Sequence, residues 1–151
     1  MLEPDLADML GKANRLLFIG VGNVLKSDDG VGVIISRQIL ERPNISALTV
    51  EVSIENYIGK INSLGPETIV IVDCMELGSS PGSYRLVALD EVEDITFNTH
   101  NISLGRLGDF FHYPTYVLGI QPKTTAFGDE LSPSVLETAN LIVSQINQQN
   151  K

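Results

Sequence analysis

Arg15-Leu16-Leu17-Phe18-Ile19-Gly20-Val21-Gly22-Asn23-Val24-Leu25-Lys26-Ser27-Asp28-Asp29-Gly30-Val31-Gly32-Val33 is the stretch from which the fold is read. Residues 16–21 are apolar and carry no charge, as a buried strand requires. A loop holding Gly20, Gly22 and Asn23 follows, then two adjacent carboxylates, Asp28 and Asp29, and a helix-like pattern resumes at Val31. That order places charge at the carboxyl end of a central strand, where open α/β sheets bind their ligands. Ser27 or Asp28 is the expected N-cap of the helix, and either carboxylate would also favour the positive end of its dipole.

Outward from this stretch, strand-like and helix-like segments alternate. Leu6, Met9 and Leu10 predict a short peripheral helix within residues 2–13. Val31, Val33, Ile34, Ile35 and Ile39 predict a helix over 29–40, stopped by Pro43. Residues 48–53 are β-branched and read as a strand, and the helix expected over 55–64 ends at Gly65-Pro66. Thr68-Ile69-Val70-Ile71-Val72 is the clearest strand, apolar enough to be buried on both faces, and it ends in Asp73. Strands over 84–89 and 115–120, a helical segment over 100–111 and a closing helix over 132–148 complete the pattern. The class is α/β, with a sheet of about five strands covered on both sides. The link Gly78-Ser79-Ser80-Pro81-Gly82 is too brief for a helical crossover, so one pairing near the fourth strand is expected to be antiparallel. One domain is expected over residues 1–151, with 1–14 as a peripheral extension.

Composition narrows the function classes. Hydrophobic content of 43% and charged content of 19% are those of an ordinary globular domain. A net charge of −9 argues against a nucleic-acid partner, which would repel it. Cys74 stands alone, which excludes an internal disulfide and suits a reducing compartment. The N-terminus lacks the basic start and apolar core of a signal peptide, and no apolar run approaches the roughly 18 residues of a membrane span. The expectation is a soluble, cytoplasmic monomer with no membrane partner.

Three places can carry chemistry. Asp28 and Asp29 follow the first strand, Asp73 closes the third, and His100 opens the segment after the fourth. Parallel strands would put both acid sites on one sheet edge, with His100 a loop away. Two carboxylates and an imidazole suit zinc, nickel, iron or manganese, and three protein ligands leave positions open for water or substrate. Each residue also has a plainer reading: helix cap for Asp28 or Asp29, loop acceptor for Asp73, surface side chain for His100. A dinucleotide site is suggested by Gly20-Val21-Gly22, yet Leu25 occupies the third glycine position and the acidic pair would repel a pyrophosphate. A phosphoacceptor receiver domain would use Asp28-Asp29, Asp73 and Lys123, but here the acidic pair comes late after the strand and Lys123 follows a proline rather than preceding one.

Four blocks together resemble the signatures of the nickel–iron hydrogenase maturation endopeptidases. They are residues 20–32, Val70-Ile71-Val72-Asp73, Thr99-His100-Asn101 and Leu118-Gly119-Ile120-Gln121-Pro122. Asp28-Asp29-Gly30, Pro81-Gly82 and Thr99-His100-Asn101 are similar to the branch serving hydrogenases of the formate hydrogenlyase type. The resemblance implies a three-layer α/β/α sandwich with a mostly parallel five-stranded sheet. It implies an endopeptidase that removes the C-terminal extension of the hydrogenase large-subunit precursor after nickel insertion. Carried over by position, the metal contacts are Asp29, Asp73 and His100; many members have glutamate where this chain has the shorter Asp29. Gly22, Asn23, Asp28 and Gln121 are the expected substrate contacts.

Two mechanisms remain open from the residues. A bound metal could activate water, in which case the base is Asp28, Glu55 or metal-bound hydroxide, since no His-Glu-x-x-His element is present. Alternatively the three residues read the substrate's own nickel, and zinc or cadmium could occupy the same contacts. An open carboxylate–imidazole set without thiolate suits such transient contact. A non-catalytic nickel-checking binder or chaperone of the large subunit would use the same residues.

Overall fold

Alternation within the apolar strands sets the layers. The structure, a computed structural model, describes residues 5–12, 14–92 and 107–148. In β1 (Leu16–Val21), Leu16 and Phe18 face one side of the sheet, while Leu17 and Ile19 face the other. β3 (Thr68–Cys74) repeats this, with Val70 and Val72 opposed to Ile69 and Ile71, all four without solvent contact. Each strand therefore feeds two separate cores, as a sheet covered on both faces must.

The first core packs the sheet against α1 (Leu6–Lys12), α2 (Val31–Arg37) and α4 (Pro133–Gln148) through Leu10, Val31, Ile35, Val135, Ala139, Ile142 and Ile146. The second uses Ile61 of α3 (Ile58–Leu64) with Ile54, Leu107 and Phe111. This is the expected three-layer α/β sandwich. The sheet has five strands in the order β2-β1-β3-β5-β4, where β2 is Ile45–Glu51, β4 Tyr84–Ala88 and β5 Thr115–Ile120. β1, β2, β3 and β5 are parallel, and β4 lies antiparallel on β5 at one edge, as the short link after Asp73 foretold. The all-parallel 2-1-3-4-5 order of receiver-type domains is not this one.

Boundaries shift where tertiary pairing overrides local pattern. β2 begins at Ile45 rather than residue 48, because Ile45, Ser46 and Ala47 pair with Leu16, Leu17 and Phe18. The helix expected over 29–40 is a 3-10 turn, Ser27–Gly30, followed by the shorter α2. Likewise a 3-10 turn, Ile54–Tyr57, precedes α3. The segment 100–111 lies mostly outside the described residues; its described part holds a 3-10 turn, Leu107–Asp109. No described helix is long and apolar enough to cross a membrane.

α2 lies unusually close to the strands. A Cβ on Gly32 would overlap the main-chain oxygens of Val72 in β3 and Val21 in β1. Backbone cannot yield as a flexible side chain can, so Gly32→Ala is expected to destabilise the fold by about 3 kcal/mol or more. A Cβ on Gly59 in α3 would meet nothing within 4 Å, so Gly59→Ala should instead stabilise by about 0.5 kcal/mol. Urea denaturation of the two variants checks the contrast.

Candidate active site

The strand order reverses between β1 and β3: β2 lies outside β1 on one side, and β5 and β4 follow β3 on the other. Beyond the carboxyl ends of strands at such a switch point, connections diverge and leave a crevice. Here the crevice is a cleft of about 620 Å³ whose lining includes Asn23, Asp29, Cys74, Glu76, Gln121 and Lys123. The residues after β1, β3 and β5 thus converge, although they are far apart in sequence.

Asp29 reaches the cleft from the 3-10 turn after β1. Its Oδ2 accepts the Asn23 N–H at 3.0 Å, and the Asn23 Oδ1 in turn accepts the Leu25 N–H at 2.9 Å. Asn23 therefore fixes Asp29 through its main chain while lining the cleft itself. Gly22 is buried at φ +138°, and a Cβ there would overlap the carbonyl oxygen of Asp29. Its place in the structure is to let the loop close on Asp29.

Asp73, one residue before the end of β3, is 6% exposed and accepts the Cys74 N–H. Burial, with the Asp29 charge nearby adding to it, pushes the Asp73 carboxyl well above the ordinary range. The two acids predicted to meet are thus brought within electrostatic reach. Two carboxylates held in this way are relieved by a cation between them, the donor chemistry that nickel or zinc accepts. His100 lies outside the described residues, and among the described ones no group of three His, Cys, Asp or Glu is placed to hold a metal.

Asp28 is corrected. Although adjacent to Asp29, it points into the protein and has no exposed surface, so it offers substrate no contact. Nor does it cap a helix start: neither the 3-10 turn nor α2 has a side-chain cap, and Ser27 does not supply one either. Oδ1 accepts the Ser132 N–H at 2.7 Å; Oδ2 accepts the N–H groups of Lys123 and Thr124 at 2.9 and 3.1 Å and the Ser132 hydroxyl at 2.8 Å. Burial pushes this carboxyl up, but the donors of Ser132, Lys123 and Thr124 outweigh it and hold it below the ordinary value. Fully buried and already accepting four hydrogen bonds, Asp28 is no general base. Glu55, the other candidate base, is exposed on the turn before α3 and is not among the cleft residues.

Gln121 is buried, and its amide is engaged within the protein. Oε1 accepts the Leu77 N–H at 2.6 Å, and Nε2 donates to Glu76 Oε1 at 2.6 Å and to the Pro122 carbonyl at 3.1 Å. It ties the loop after β3 to the loop after β5. Glu76 is the cleft carboxylate that sequence reading missed; its signal was its place just past the end of a central parallel strand. Cys74 also lines the cleft, but burial and the charges of Asp73, Asp29, Asp28 and Glu76 push its thiol up, so it stays protonated and is no nucleophile.

The family model for HycI, hydrogenase maturation protease, matches residues 35–149, more than half of the chain. The hydrogenase 3 maturation protease of Escherichia coli is 26% identical over 132 residues, covering 83% of this chain and 85% of that protein. Two solved structures share the fold. The crystal structure of a [NiFe] hydrogenase maturation protease HycI from Thermococcus kodakarensis superposes with a TM-score of 0.76 at 23% identity, covering 93% of this chain and 97% of that one. The solution structure of the endopeptidase HycI from Escherichia coli gives 0.74 at 23% identity, covering 88% and 89%.

Asp28→Asn replaces an acceptor-only group by one that presents N–H to a main-chain N–H. The expected cost is about 3 kcal/mol of folding stability at neutral pH. Because the folded-state value of Asp28 is lowered, its contribution is complete above the ordinary carboxylate value near 3.8 and is lost as pH falls through the lower folded value. Urea titrations at neutral and acid pH should therefore show the gap between wild type and Asp28→Asn closing only below about pH 4.

Proposed function

Because this chain belongs to the hydrogenase maturation protease family and is a peptidase, we propose that it removes the C-terminal extension of a [NiFe] hydrogenase large-subunit precursor after nickel insertion. The observation that supports this reading is the place of Asp29 on the switch-point cleft, with the buried Asp73 of β3 near enough to feel its charge. In the proposal these carboxylates, with His100, contact the nickel that arrives in the precursor. Substrate then supplies a cation beside a buried acid whose anionic form is otherwise disfavoured. Such a site discriminates by differential binding: a nickel-loaded precursor relieves the repulsion, and an empty one does not.

The chain's own contributions follow from the geometry. Asn23 N–H orients Asp29, and burial keeps Asp73 from turning to solvent. Asn23 and the loop around Gly22 border the scissile segment, while Gln121 acts through the loops it ties together. Cutting the peptide requires water at the scissile carbonyl and a group to take its proton; burial of Asp28 removes it from that role.

Asp29→Asn, Asp73→Asn and His100→Ala are each expected to leave the circular dichroism spectrum unchanged while lowering processing of purified, nickel-loaded precursor by at least about a hundredfold. The shortened large subunit is followed by mass. Full processing by Asp29→Asn and His100→Ala would refute the assignment. A wild-type chain that forms a complex with precursor but never yields a shortened product would instead be a nickel-checking binder.

A further inference from the structure

Two large apolar side chains stand in solvent on the loops that wall the cleft. Phe127 is 88% exposed and Leu25 is 62% exposed, and Val52, on the cleft lining itself, is 64% exposed. Scattered exposed apolar residues need no explanation, but these lie on or beside one cleft, and the loops that carry Leu25 and Phe127 are braced on each other. The Gly128 N–H donates to the Leu25 carbonyl at 3.0 Å, and the Ser27 N–H donates to the Gly128 carbonyl at 2.8 Å. The Ser27 hydroxyl donates to the Ala126 carbonyl at 2.8 Å, and Lys26 forms a parallel bridge with Gly128. Ser27 is held at φ +52°, a left-handed conformation that these bonds maintain. A Cβ on Gly128 would press on the Ser27 hydroxyl oxygen at 2.7 Å and displace it from its bond to Ala126. Leu25 and Phe127 are thus presented side by side from backbone already ordered, so a partner need not supply that ordering.

Charge points to the partner's chemistry. The chain carries ten Lys and Arg against nineteen Asp and Glu, yet on this cleft exposed Lys26 and Lys123 equal Asp29 and Glu76 in number. We propose that Leu25, Val52 and Phe127 form the docking rim for the large-subunit precursor. On this proposal the rim grips an apolar side chain next to the segment that enters the cleft, and Lys26 and Lys123 face an acidic neighbour of it. The proposal rests on the peptidase reading of the cleft and adds the surface that selects its substrate. An exposed aromatic that a partner buries at the centre of a contact carries a large share of the binding energy between proteins.

The test uses the full chain and purified nickel-loaded precursor. The Leu25→Ser/Phe127→Ser pair changes exposed residues and should keep the wild-type Tm. It is expected to raise KM by about tenfold or more while kcat stays within about twofold. The α4 control pair Leu136→Ser/Leu141→Ser, exposed but away from the cleft, should leave both parameters unchanged. Lys26→Glu should raise KM and weaken its dependence on salt. Binding measured in an Asp29→Asn background should show the same loss of affinity with the precursor uncut. An unchanged KM in the rim pair while wild type cuts overturns the docking rim and leaves the peptidase standing. Rim-dependent binding without any cutting by wild type upholds the rim and removes the peptidase reading. Self-association of the enzyme that the rim pair abolishes, with KM unchanged, would give the patch to a second copy of this chain and overturn the proposal.

Discussion

One buried carboxylate holds the cleft together. Asp28 gathers the N–H groups of Lys123, Thr124 and Ser132 and the hydroxyl of Ser132, residues about a hundred positions away in the chain. Removing an anion from water is unfavourable unless hydrogen bonds replace hydration. Here the donors are sufficient to keep it ionised in spite of its burial. Because the donors come from the loop after β5 and the start of α4, the loop after β1 cannot shift without breaking bonds to both. The walls of the cleft are in this sense one unit, and the backbone bonds between residues 25–28 and 124–128 extend it.

Asp29, the next residue, is turned the other way by the 3-10 geometry of Ser27–Gly30. One carboxylate of the pair is satisfied inside the protein, and its neighbour is directed at the cleft by the Asn23 N–H. The contrast with Asp73 is equally physical. Asp28 is surrounded by donors and held below the ordinary value, whereas Asp73 is desolvated beside another acid and pushed above it. Two like residues therefore differ in character through surroundings alone: one is satisfied by donors inside the protein, the other is desolvated beside another acid.

Much of the architecture is readable from local pattern. Residues 16–21 and 115–120 are strands at the bounds their apolar runs suggested, and the brief link after Asp73 announced the antiparallel edge. β2 began earlier than its β-branched core because pairing with β1, not side-chain type, sets its start. The helix after Asp29 was shorter because a 3-10 turn was needed to place both acids. Gln121 is singled out by the resemblance alone, and its side chain ties the loops after β3 and β5 together, while Gly22 lets its own loop close on Asp29. Glu76 is marked only by its place just past a central strand, and the exposed Phe127 carries no local mark that separates it from an ordinary surface residue.

Hydropathy period and glycine placement were enough to establish an α/β sheet with acids at its carboxyl edge, because burial on two faces imposes a pattern that neighbouring residues must share. They could not say which of two adjacent aspartates faces inward. That follows from hydrogen-bond donors supplied by residues 123, 124 and 132, and no property of residues 28 and 29 encodes the arrival of donors from so distant a part of the chain.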